Sequence, residues 1–232
     1  MRDVLKRLGA QPVSLTGLPG LPRVSQLWRR GVCRIGLSRD GVAVLRTNVA
    51  VSRKTSASAP VLAERSLRGM ASGATPDELA ALIGGALDEA GCSGLPIHAT
   101  FGDDLVRYFI VTPPPNGTRV QDLRTAAEVR FQMLYGESAA AWHLVADWHA
   151  VTPFLACAVS LRLHTALQLA ARAQRSCLVS TSPNFIGAWN RWRRRVTGDA
   201  WLATLHDGAL TLGVIDGAGR RARLAAVRTL KL

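Results

Sequence analysis

One hairpin pattern occurs twice in the sequence, once near each end. The first copy is the run VCRIGLSRDGVAVLR at residues 32–46, and the second is WLATLHDGALTLGVI at residues 201–215. Each copy has two apolar segments joined by a short turn that contains Asp-Gly, a dipeptide that tight hairpins favour. A third apolar segment follows each hairpin, at 61–67 and at 224–230. The chain is therefore predicted to contain two three-stranded meanders, in two related half-domains that face each other.

Helix and strand signals alternate between the two meanders. Thr75 and Glu78 form a capping box around Pro76, and Gly91 follows the end of the helix that they predict. Thr118 and Gln121 are the predicted capping pair of a second helix. The remaining predicted elements are strands at 96–101, 142–149, 154–159 and 177–180, and helices at 119–135, 161–175 and 183–195. The runs at 154–159 and 177–180 are apolar, so these two strands are predicted to be buried.

Charge and composition narrow the class of protein. The chain has 232 residues, 48% of them hydrophobic, so it is long enough to bury a substantial core. Its net charge of +13 comes almost entirely from arginine, which favours anionic partners: nucleic acid, an acidic protein or the inner leaflet of a membrane. Codon bias in a GC-rich genome explains the same excess of arginine and alanine. The charge alone therefore does not choose between these partners.

Targeting and redox signals point to the cytoplasm. No apolar run approaches the roughly 20 residues that span a bilayer, and the opening MRDVLKRL is too short in apolar content for a signal peptide. The four cysteines are widely spaced and include no Cys-x-x-Cys pair. A disulfide framework is not expected in a chain with this much core. The sequence predicts a cytoplasmic protein.

Two groups of polar residues invite a chemical role, and both have a simpler explanation. His143 and His149 are six residues apart, on one face of a predicted strand, but surface histidines on an edge strand are common and we predict no metal site. Asp103 and Asp104 begin a turn directly before a strand. Adjacent carboxylates on a turn are usually solvated and lack the separate environments that an acid–base pair requires. We expect neither group to be catalytic.

The order of the predicted elements resembles the actin-like and ribonuclease-H-like fold. The middle of the chain resembles, more specifically, the PilM and GspL family of actin-like proteins, which act in type IV pilus and type II secretion assembly. The resemblance is carried by the run IHATFGDDLVRYFIVTP at 97–113, the helix at 122–135, and the apolar run 154–160 before Leu161. In that family a strand leads through a short turn into a second strand that ends in proline.

The resemblance implies an α/β fold of two half-domains, each opening with a three-stranded antiparallel meander, and a small inserted α/β subdomain. The implied ranges are an irregular leader at 1–30, a first half-domain at 31–102 and 151–182, an inserted subdomain at 103–150, and a truncated second half-domain at 183–232.

The same resemblance directs attention to the two hairpin turns. In actin-like ATPases these turns hold the nucleotide phosphates, with glycine for close backbone approach and an aspartate in each turn. Here the first aspartate position falls on Ser38, and the glycine that should approach a phosphate is Asp40. At the second turn the aspartate and glycine positions fall on Thr204 and His206. Shifting the alignment by two residues restores Asp-Gly in both turns, but a tight hairpin needs Asp-Gly as well.

The turns are therefore interpreted as degenerate, with no nucleotide, no other cofactor and no ATPase activity expected. The degenerate phosphate-turn positions are Ser38, Arg39, Asp40, Gly41, Thr204, His206, Asp207 and Gly208. An ATP-binding actin-like protein is the first alternative. A basic nucleic-acid-binding protein is the second, although no RNP motif, GXXG loop or zinc finger is present to make it specific.

For function, the resemblance implies a non-enzymatic cytoplasmic scaffold at the inner membrane. Its implied partners are the cytoplasmic tail of an inner-membrane pilus or secretion assembly protein and the secretion motor ATPase, with peripheral contact to anionic lipid and no specific nucleic acid. The candidate partner-binding residues are Arg107, Phe109, Trp189, Trp192, Arg193 and Arg194. For the last four, the simpler explanation is tryptophans in the core and solvated arginines at a helix C-terminus.

Overall fold

The computed structural model describes residues 31–48, 59–68, 73–115, 119–217, 219 and 222–232. The predicted leader at 1–30 and Thr118 lie outside the described residues. In chain order the elements are β1 (Val32–Leu37), β2 (Gly41–Thr47), β3 (Val61–Ser66), α1 (Pro76–Glu89), β4 (Pro96–Phe101), β5 (Val106–Val111), α2 (Val120–Tyr135), β6 (Trp142–Ala146), β7 (Phe154–Ser160), α3 (Leu161–Ala173), β8 (Cys177–Pro183), α4 (Asn184–Trp192), β9 (Ala200–His206), β10 (Ala209–Asp216) and β11 (Arg223–Lys231).

These strands form three sheets. The largest has the order β3-β2-β1-β4-β8, in which β1 pairs antiparallel with β2 and parallel with β4. The C-terminal meander forms a separate antiparallel sheet, β11-β10-β9, and a third sheet has the order β5-β7-β6. Both predicted meanders are present, and both hairpins pair antiparallel around their Asp-Gly turns.

Helix α1 begins as its sequence predicts. The hydroxyl of Thr75 accepts a hydrogen bond from the Glu78 amide at 3.3 Å, and the Glu78 carboxylate accepts one from the Thr75 amide at 2.7 Å. The Thr75 amide, and then the Thr75 hydroxyl, which donates to the same carboxylate at 3.0 Å, lower the pKa of Glu78. Helix α2 begins differently from the prediction, because its cap is Arg119, whose amide donates to Asp122 at 3.3 Å. The predicted partner Gln121 is one residue too early for this bond.

One continuous core joins the five-stranded sheet to the C-terminal meander. Helices α1 and α3 pack together on the sheet, with Ile83, Leu87 and Leu167 fully buried between them. The same core continues through α4 into the inner face of the β11-β10-β9 sheet, where Ile215 and Leu224 are buried. The two half-domains therefore share one apolar interior.

A second core belongs to the small sheet and α2. Phe109, Phe131 and Phe154 are buried there, with ring centroids of Phe109 and Phe131 5.7 Å apart. The central strand of this sheet is β7, which pairs with β5 on one side and β6 on the other. The predicted boundary between 150 and 151 is therefore wrong, because it would divide this sheet. Residues through Ser160 belong to the inserted subdomain, and α3 begins at the next residue.

Strand β7 is buried as predicted, whereas β8 is not. Alternate residues of β7 face the two cores, so both of its faces are covered. Strand β8 lies at the edge of the five-stranded sheet, and Cys177 and Val179 are exposed. An apolar run does not distinguish a central strand from an edge strand, because the distinction depends on neighbours that are distant in sequence. None of the helices that the structure describes is long and apolar enough to cross a membrane.

The two histidines of the proposed strand face are separated, and a different pair is formed. Strand β6 ends at Ala146, so His149 lies in the following turn. His143 instead stacks on His164 of α3, with ring centroids 4.3 Å apart and nearly parallel planes. Burial lowers the pKa of both rings, and for His164 the neighbouring His143 lowers it further. This stack joins the small sheet to the first half-domain.

Stability is therefore expected to fall as pH falls below about 6.5, the ordinary histidine pKa, through the lowered pKa values of the folded protein. Both rings are favoured in the neutral form when folded, so the unfolded chain binds more protons in this range. Urea unfolding between pH 5 and 7.5 measures the slope. A variant with His143→Gln and His164→Gln should show a shallower slope, and an unchanged slope would contradict this account. The remaining slope is expected from His98. Burial, and then the nearby charge of Arg34, lower the pKa of this ring as well.

Candidate functional site

A buried carboxylate lies where the two half-domains and the small sheet meet. Asp103 follows β4 in a single 3-10 turn, and its side chain is only 1% exposed. Its Oδ1 accepts hydrogen bonds from the Tyr108 hydroxyl at 2.6 Å and the Phe185 amide at 2.9 Å. Its Oδ2 accepts one from the Thr204 hydroxyl at 2.9 Å. One side chain thus fastens β5, α4 and β9 to the end of β4.

The position of Asp103 explains how its charge is tolerated. Phe185 is in the first turn of α4, where the helix presents free amide groups and the positive end of its dipole. Three donors together replace the water that a carboxylate loses on burial. The same site changes the ionisation of Tyr108. Burial, and then the adjacent Asp103 charge, raise the pKa of its hydroxyl.

Asp104 performs a similar function for the first hairpin turn. Its Oδ2 accepts a hydrogen bond from the Arg39 amide at 2.7 Å, while the Ser38 amide donates to the Gly41 carbonyl at 2.9 Å. The preceding Gly102 amide donates to the Leu37 carbonyl at 2.6 Å. A Cβ at residue 102 would lie 2.5 Å from Asp104 Oδ1 and 3.1 Å from the Leu37 oxygen, so a larger residue here would displace the Asp104 side chain and crowd the Leu37 carbonyl.

The remaining residues of the first turn are exposed. On the surface, Asp40 Oδ1 forms an ion pair with Arg68 Nε at 3.5 Å. The Asp40 carbonyl accepts a hydrogen bond from the Leu67 amide at 2.9 Å. Two amides that could face a phosphate here, those of Ser38 and Arg39, already donate to protein oxygens. An Asp104 carboxylate at this turn also repels a phosphate by like charge.

The second turn has the geometry of an ordinary tight hairpin. Asp207 and Gly208 both have positive φ, 46° and 70°, which is the type I′ pattern that two-residue hairpins prefer. His206 and Asp207 pair with each other on the surface, with Nδ1 3.2 Å from Oδ2. Only Thr204, further down β9, points inward to Asp103. The two turns are thus connected through the adjacent carboxylates of residues 103 and 104.

The expectation that Asp103 and Asp104 are solvated is therefore wrong for Asp103. The physical reason is that its turn lies under α4 and β9, which are contributed by residues more than eighty positions later. The sequence contained two signals that could have found this site. Gly102 precedes the pair, and Thr204 interrupts an otherwise apolar strand with a hydroxyl.

A long groove lies beside the small sheet. It has a volume of about 1140 Å³ and runs between the end of β5, the proline segment after it and the outer ridge of α2. Ile110, Val129 and Met133 give it an apolar floor, with Met133 73% exposed, and Arg130 and Asp122 add charge. Strand β5 is the edge strand of its sheet on this side. Such an apolar groove with charged groups at its side suits a peptide with apolar anchor residues.

The two candidate partner-binding residues of β5, Arg107 and Phe109, differ in exposure. Arg107 lies over the rings of Tyr135 and Trp142, 5.6 Å from each centroid, and its NH2 group is 3.9 Å from the Glu137 carboxylate. It is half-buried and available at the surface. Phe109 is buried in the small core against Phe131, so its prediction as a partner-binding residue is wrong.

The four candidate partner-binding residues of α4 and of the 3-10 turn after it also differ in exposure. Trp189 is buried in the main core, which removes it from the candidate surface and confirms the simpler explanation for this residue. Trp192 is exposed, and Arg191 and Arg195 lie over its ring at 5.6 and 5.0 Å. Arg193 and Arg194 continue beyond it in a 3-10 turn. These arginines crowd one exposed tryptophan without a buried polar group among them.

Comparison with known proteins places the fold. A chain of a PilM–PilN type IV pilus biogenesis complex matches with a TM-score of 0.53 and 14% sequence identity over 88% of this chain. The cytoplasmic domain of EpsL, an inner-membrane component of the type II secretion system of Vibrio cholerae, matches with a TM-score of 0.52 and 8% identity over 87% of this chain. A protein of unknown function with an actin-like ATPase fold, from Bacteroides thetaiotaomicron, matches with a TM-score of 0.53 and 11% identity over 92%.

These likenesses establish an actin-like α/β fold for the chain. It spans 62% of the matched chain of the PilM–PilN complex, 71% of the EpsL domain and 74% of the Bacteroides protein. No protein-family model matches the sequence, and no curated protein matches it.

Proposed function

We propose that this protein is a non-enzymatic scaffold in a machine of the type IV pilus or type II secretion kind, linking an inner-membrane component to the assembly platform. The fold carries the proposal, because two of the matched structures belong to such systems. One matched structure is a complex of two assembly proteins, and the other is the cytoplasmic part of an inner-membrane component. The proposed location is the cytoplasmic face of the inner membrane, where the net charge of +13 favours anionic lipid.

The proposal excludes ATPase activity because of the contacts between the two hairpin turns. We call these contacts the hairpin junction: Asp103 and Asp104 with the turn and strand residues that bond to them. A phosphate site needs free amide donors and a net positive environment. Here the Arg39 amide and the Thr204 hydroxyl donate to the two carboxylates between the turns. The proposal therefore assigns Asp103 and Asp104 a structural role at the place where related folds bind a nucleotide.

Titration with ATP and magnesium in a calorimeter is expected to give no heat of binding at micromolar protein. The reason is that a triphosphate would have to approach two carboxylates and displace their hydrogen bonds. Low-micromolar binding would contradict the proposal and favour the ATP-binding alternative. The variant Asp104→Asn, which removes the charge nearest to Arg39, is the matched comparison, and ATP binding by this variant alone would support the electrostatic explanation.

The proposed partner is the cytoplasmic tail of an inner-membrane assembly protein, bound in the groove between β5 and α2. Val129 and Met133 are four residues apart on α2, so they form one apolar ridge along the groove. Arg130, on the same helix beside this ridge, can pair with an acidic residue of the tail. The motor ATPase is a further proposed partner.

Co-expression with the membrane proteins encoded beside this chain tests the partner. The wild-type protein is expected to co-purify with one assembly component through its cytoplasmic tail, and Val129→Lys with Met133→Lys should reduce that recovery about tenfold. Val151→Lys is the matched control, because Val151 is exposed and is not one of the residues that line the groove. Recovery of no component, or equal recovery with the groove variant, would overturn the proposal. Binding of single-stranded DNA that persists at about 200 mM salt would instead favour a nucleic-acid-binding protein.

A further inference from the structure

Two cysteines that are distant in sequence meet in the main core. Cys33 is the second residue of β1, and Cys92 follows the C-cap of α1 by two residues. Both side chains are fully buried in the same core, and both are free thiols. The Cys33 thiol donates a hydrogen bond to the Cys92 sulfur, so the two sulfur atoms are adjacent. We refer to these two residues as the thiol pair.

Arg46 lies beside the thiol pair. It is the register partner of Cys33 on β2, and directly opposed residues of an antiparallel pair share one face of the sheet. Its Nη1 donates to the carbonyl oxygens of Ala90 and Gly91 at 3.3 and 3.1 Å, which brings the guanidinium to the residue directly before Cys92. Its Nε is buried and has no hydrogen-bond partner among the residues that the structure describes. A positive charge with one unsatisfied buried donor therefore adjoins the two thiols.

This arrangement gives the two cysteines different reactivity. The hydrogen bond from Cys33 lowers the pKa of Cys92, burial opposes this effect, and the charge of Arg46 lowers the pKa further. The same hydrogen bond, and then burial, raise the pKa of Cys33. The thiolate is the nucleophilic form of cysteine, and a neighbouring arginine favours it. Cys92 is therefore the attacking sulfur, and Cys33 is held beside it as a thiol.

The thiol pair lies at the margin of the core. The two residues on either side of Cys92, Gly91 and Ser93, are exposed, so only a short loop separates this sulfur from solvent. Exposed loops open locally at a much lower free energy than the whole fold does. Hydrogen peroxide is only slightly larger than water, so it can reach Cys92 during a small opening of this loop.

We propose that Cys33 and Cys92 form a disulfide when the protein is exposed to a peroxide, with Arg46 stabilising the attacking Cys92 thiolate. This thiolate attacks one peroxide oxygen, the O–O bond breaks, and the hydroxide that leaves takes up the proton released by Cys92. The Cys33 sulfur then attacks the sulfenic acid at Cys92, the S–O bond breaks, and water leaves with the Cys33 proton. Two thiols and one peroxide thus give one disulfide and two water molecules; the sulfurs are oxidised and the peroxide is reduced.

The disulfide would join the beginning of β1 to the loop after α1. It would close a loop that contains β2, β3 and α1, and closure of a long loop constrains the unfolded chain. The oxidised first half-domain is therefore expected to be harder to open. In a reducing cytoplasm such bonds are transient and serve as sensors. The thiol pair is separate from the groove and from the hairpin junction, so this inference does not depend on the proposed function.

Peptide mapping of the oxidised full chain tests the thiol pair. The protein is treated with hydrogen peroxide, free thiols are blocked with N-ethylmaleimide, and a digest made without reductant is analysed by mass spectrometry. A peptide pair joined through Cys33 and Cys92 is expected, and dithiothreitol should separate it. Cys177 is exposed and serves as the internal reference for the oxidant. Oxidised Cys177 beside unreacted Cys33 and Cys92 would overturn the proposal, as would a bond from either one to Cys157 or Cys177.

Variants of Arg46 distinguish activation of the thiolate from simple proximity of the sulfurs. Arg46→Gln should form the disulfide about tenfold more slowly, whereas Arg46→Lys, which keeps the charge, should retain most of the rate. A loss of stability alone would open the core more often and make Arg46→Gln react faster. The direction of the change therefore separates the two causes, and an equal or faster rate in Arg46→Gln would overturn the proposal.

Single cysteine variants test the assigned roles. In Cys33→Ser no second thiol is present, so Cys92 should proceed to the sulfinic acid, which mass spectrometry detects. In Cys92→Ser the attacking sulfur is absent, and Cys33 should remain a thiol under the same treatment. Oxidation of Cys33 in that variant, with Cys92 unreacted in Cys33→Ser, would reverse the roles and overturn the proposal.

Discussion

Replacement of Asp103 by alanine is expected to lower the free energy of unfolding by about 3 kcal/mol, which is roughly 6–12 °C in melting temperature for a chain of this size. The substitution leaves the Tyr108 hydroxyl, the Phe185 amide and the Thr204 hydroxyl without their acceptor in a dry site. Each unsatisfied buried group costs about 1–3 kcal/mol, and the removal of the carboxylate's own desolvation cost offsets part of the sum.

Two comparisons identify the cause of this loss. Asp104→Ala removes one hydrogen bond, from the half-exposed turn at Arg39, and should cost only about 1 kcal/mol. Thr204→Val removes one donor while the carboxylate remains, and its effect should be less than additive with Asp103→Ala, because both changes break the same bond. Chemical denaturation followed by tryptophan fluorescence measures the wild type, the three single variants and the Asp103→Ala/Thr204→Val double variant. An Asp103→Ala variant within 1 kcal/mol of wild type would show that the junction does not hold the half-domains together.

Replacement of Phe185 by alanine is expected to cost about 3–5 kcal/mol, the usual range for a fully buried phenylalanine. Its ring is inaccessible to solvent, lies edge-on to Tyr108 at 5.6 Å, and fills the space under the C-terminal meander. The variant Phe185→Leu retains most of the volume and should cost about 1.5 kcal/mol. Unfolding by urea, followed by circular dichroism, measures both variants.

Gly213 provides an internal check on that packing. A Cβ at this residue would lie 2.5 Å from the ring of Phe185 and 2.9 Å from a methyl group of Leu224, so Gly213→Ala should cost about 1–3 kcal/mol by overpacking. In the Phe185→Ala background the cavity can accept the new methyl group, and the cost should largely disappear. Full additivity of the two substitutions would mean that the ring and the glycine are not in contact.

The sequence predicted the fold because the determining signals are local. The two Asp-Gly hairpins, the capping box at Thr75 and the apolar periods of the helices each depend on a few neighbouring residues, and the structure contains all of them. The order of such elements was enough to predict an actin-like α/β fold, which the structural comparisons confirm.

The site was predicted less well because its parts are distant along the chain. Asp103 becomes buried only through Phe185 and Thr204, which are 82 and 101 residues away. Phe109 and Trp189 were assigned to a partner, yet each is covered by helices or strands that no short pattern specifies. The edge position of β8 and the membership of β7 in the small sheet depend in the same way on strand pairing, which local propensity does not encode.

The direct passage of β7 into α3 couples the small sheet to the main core. Strand β7 ends at Ser160 and the helix begins at Leu161, so no flexible residue separates them. The His143–His164 stack adds a second contact between the small sheet and the same helix. A ligand that pulls on the small sheet therefore pulls on α3 and, through their shared packing, on α1. The small sheet and the main core are therefore expected to move as one body.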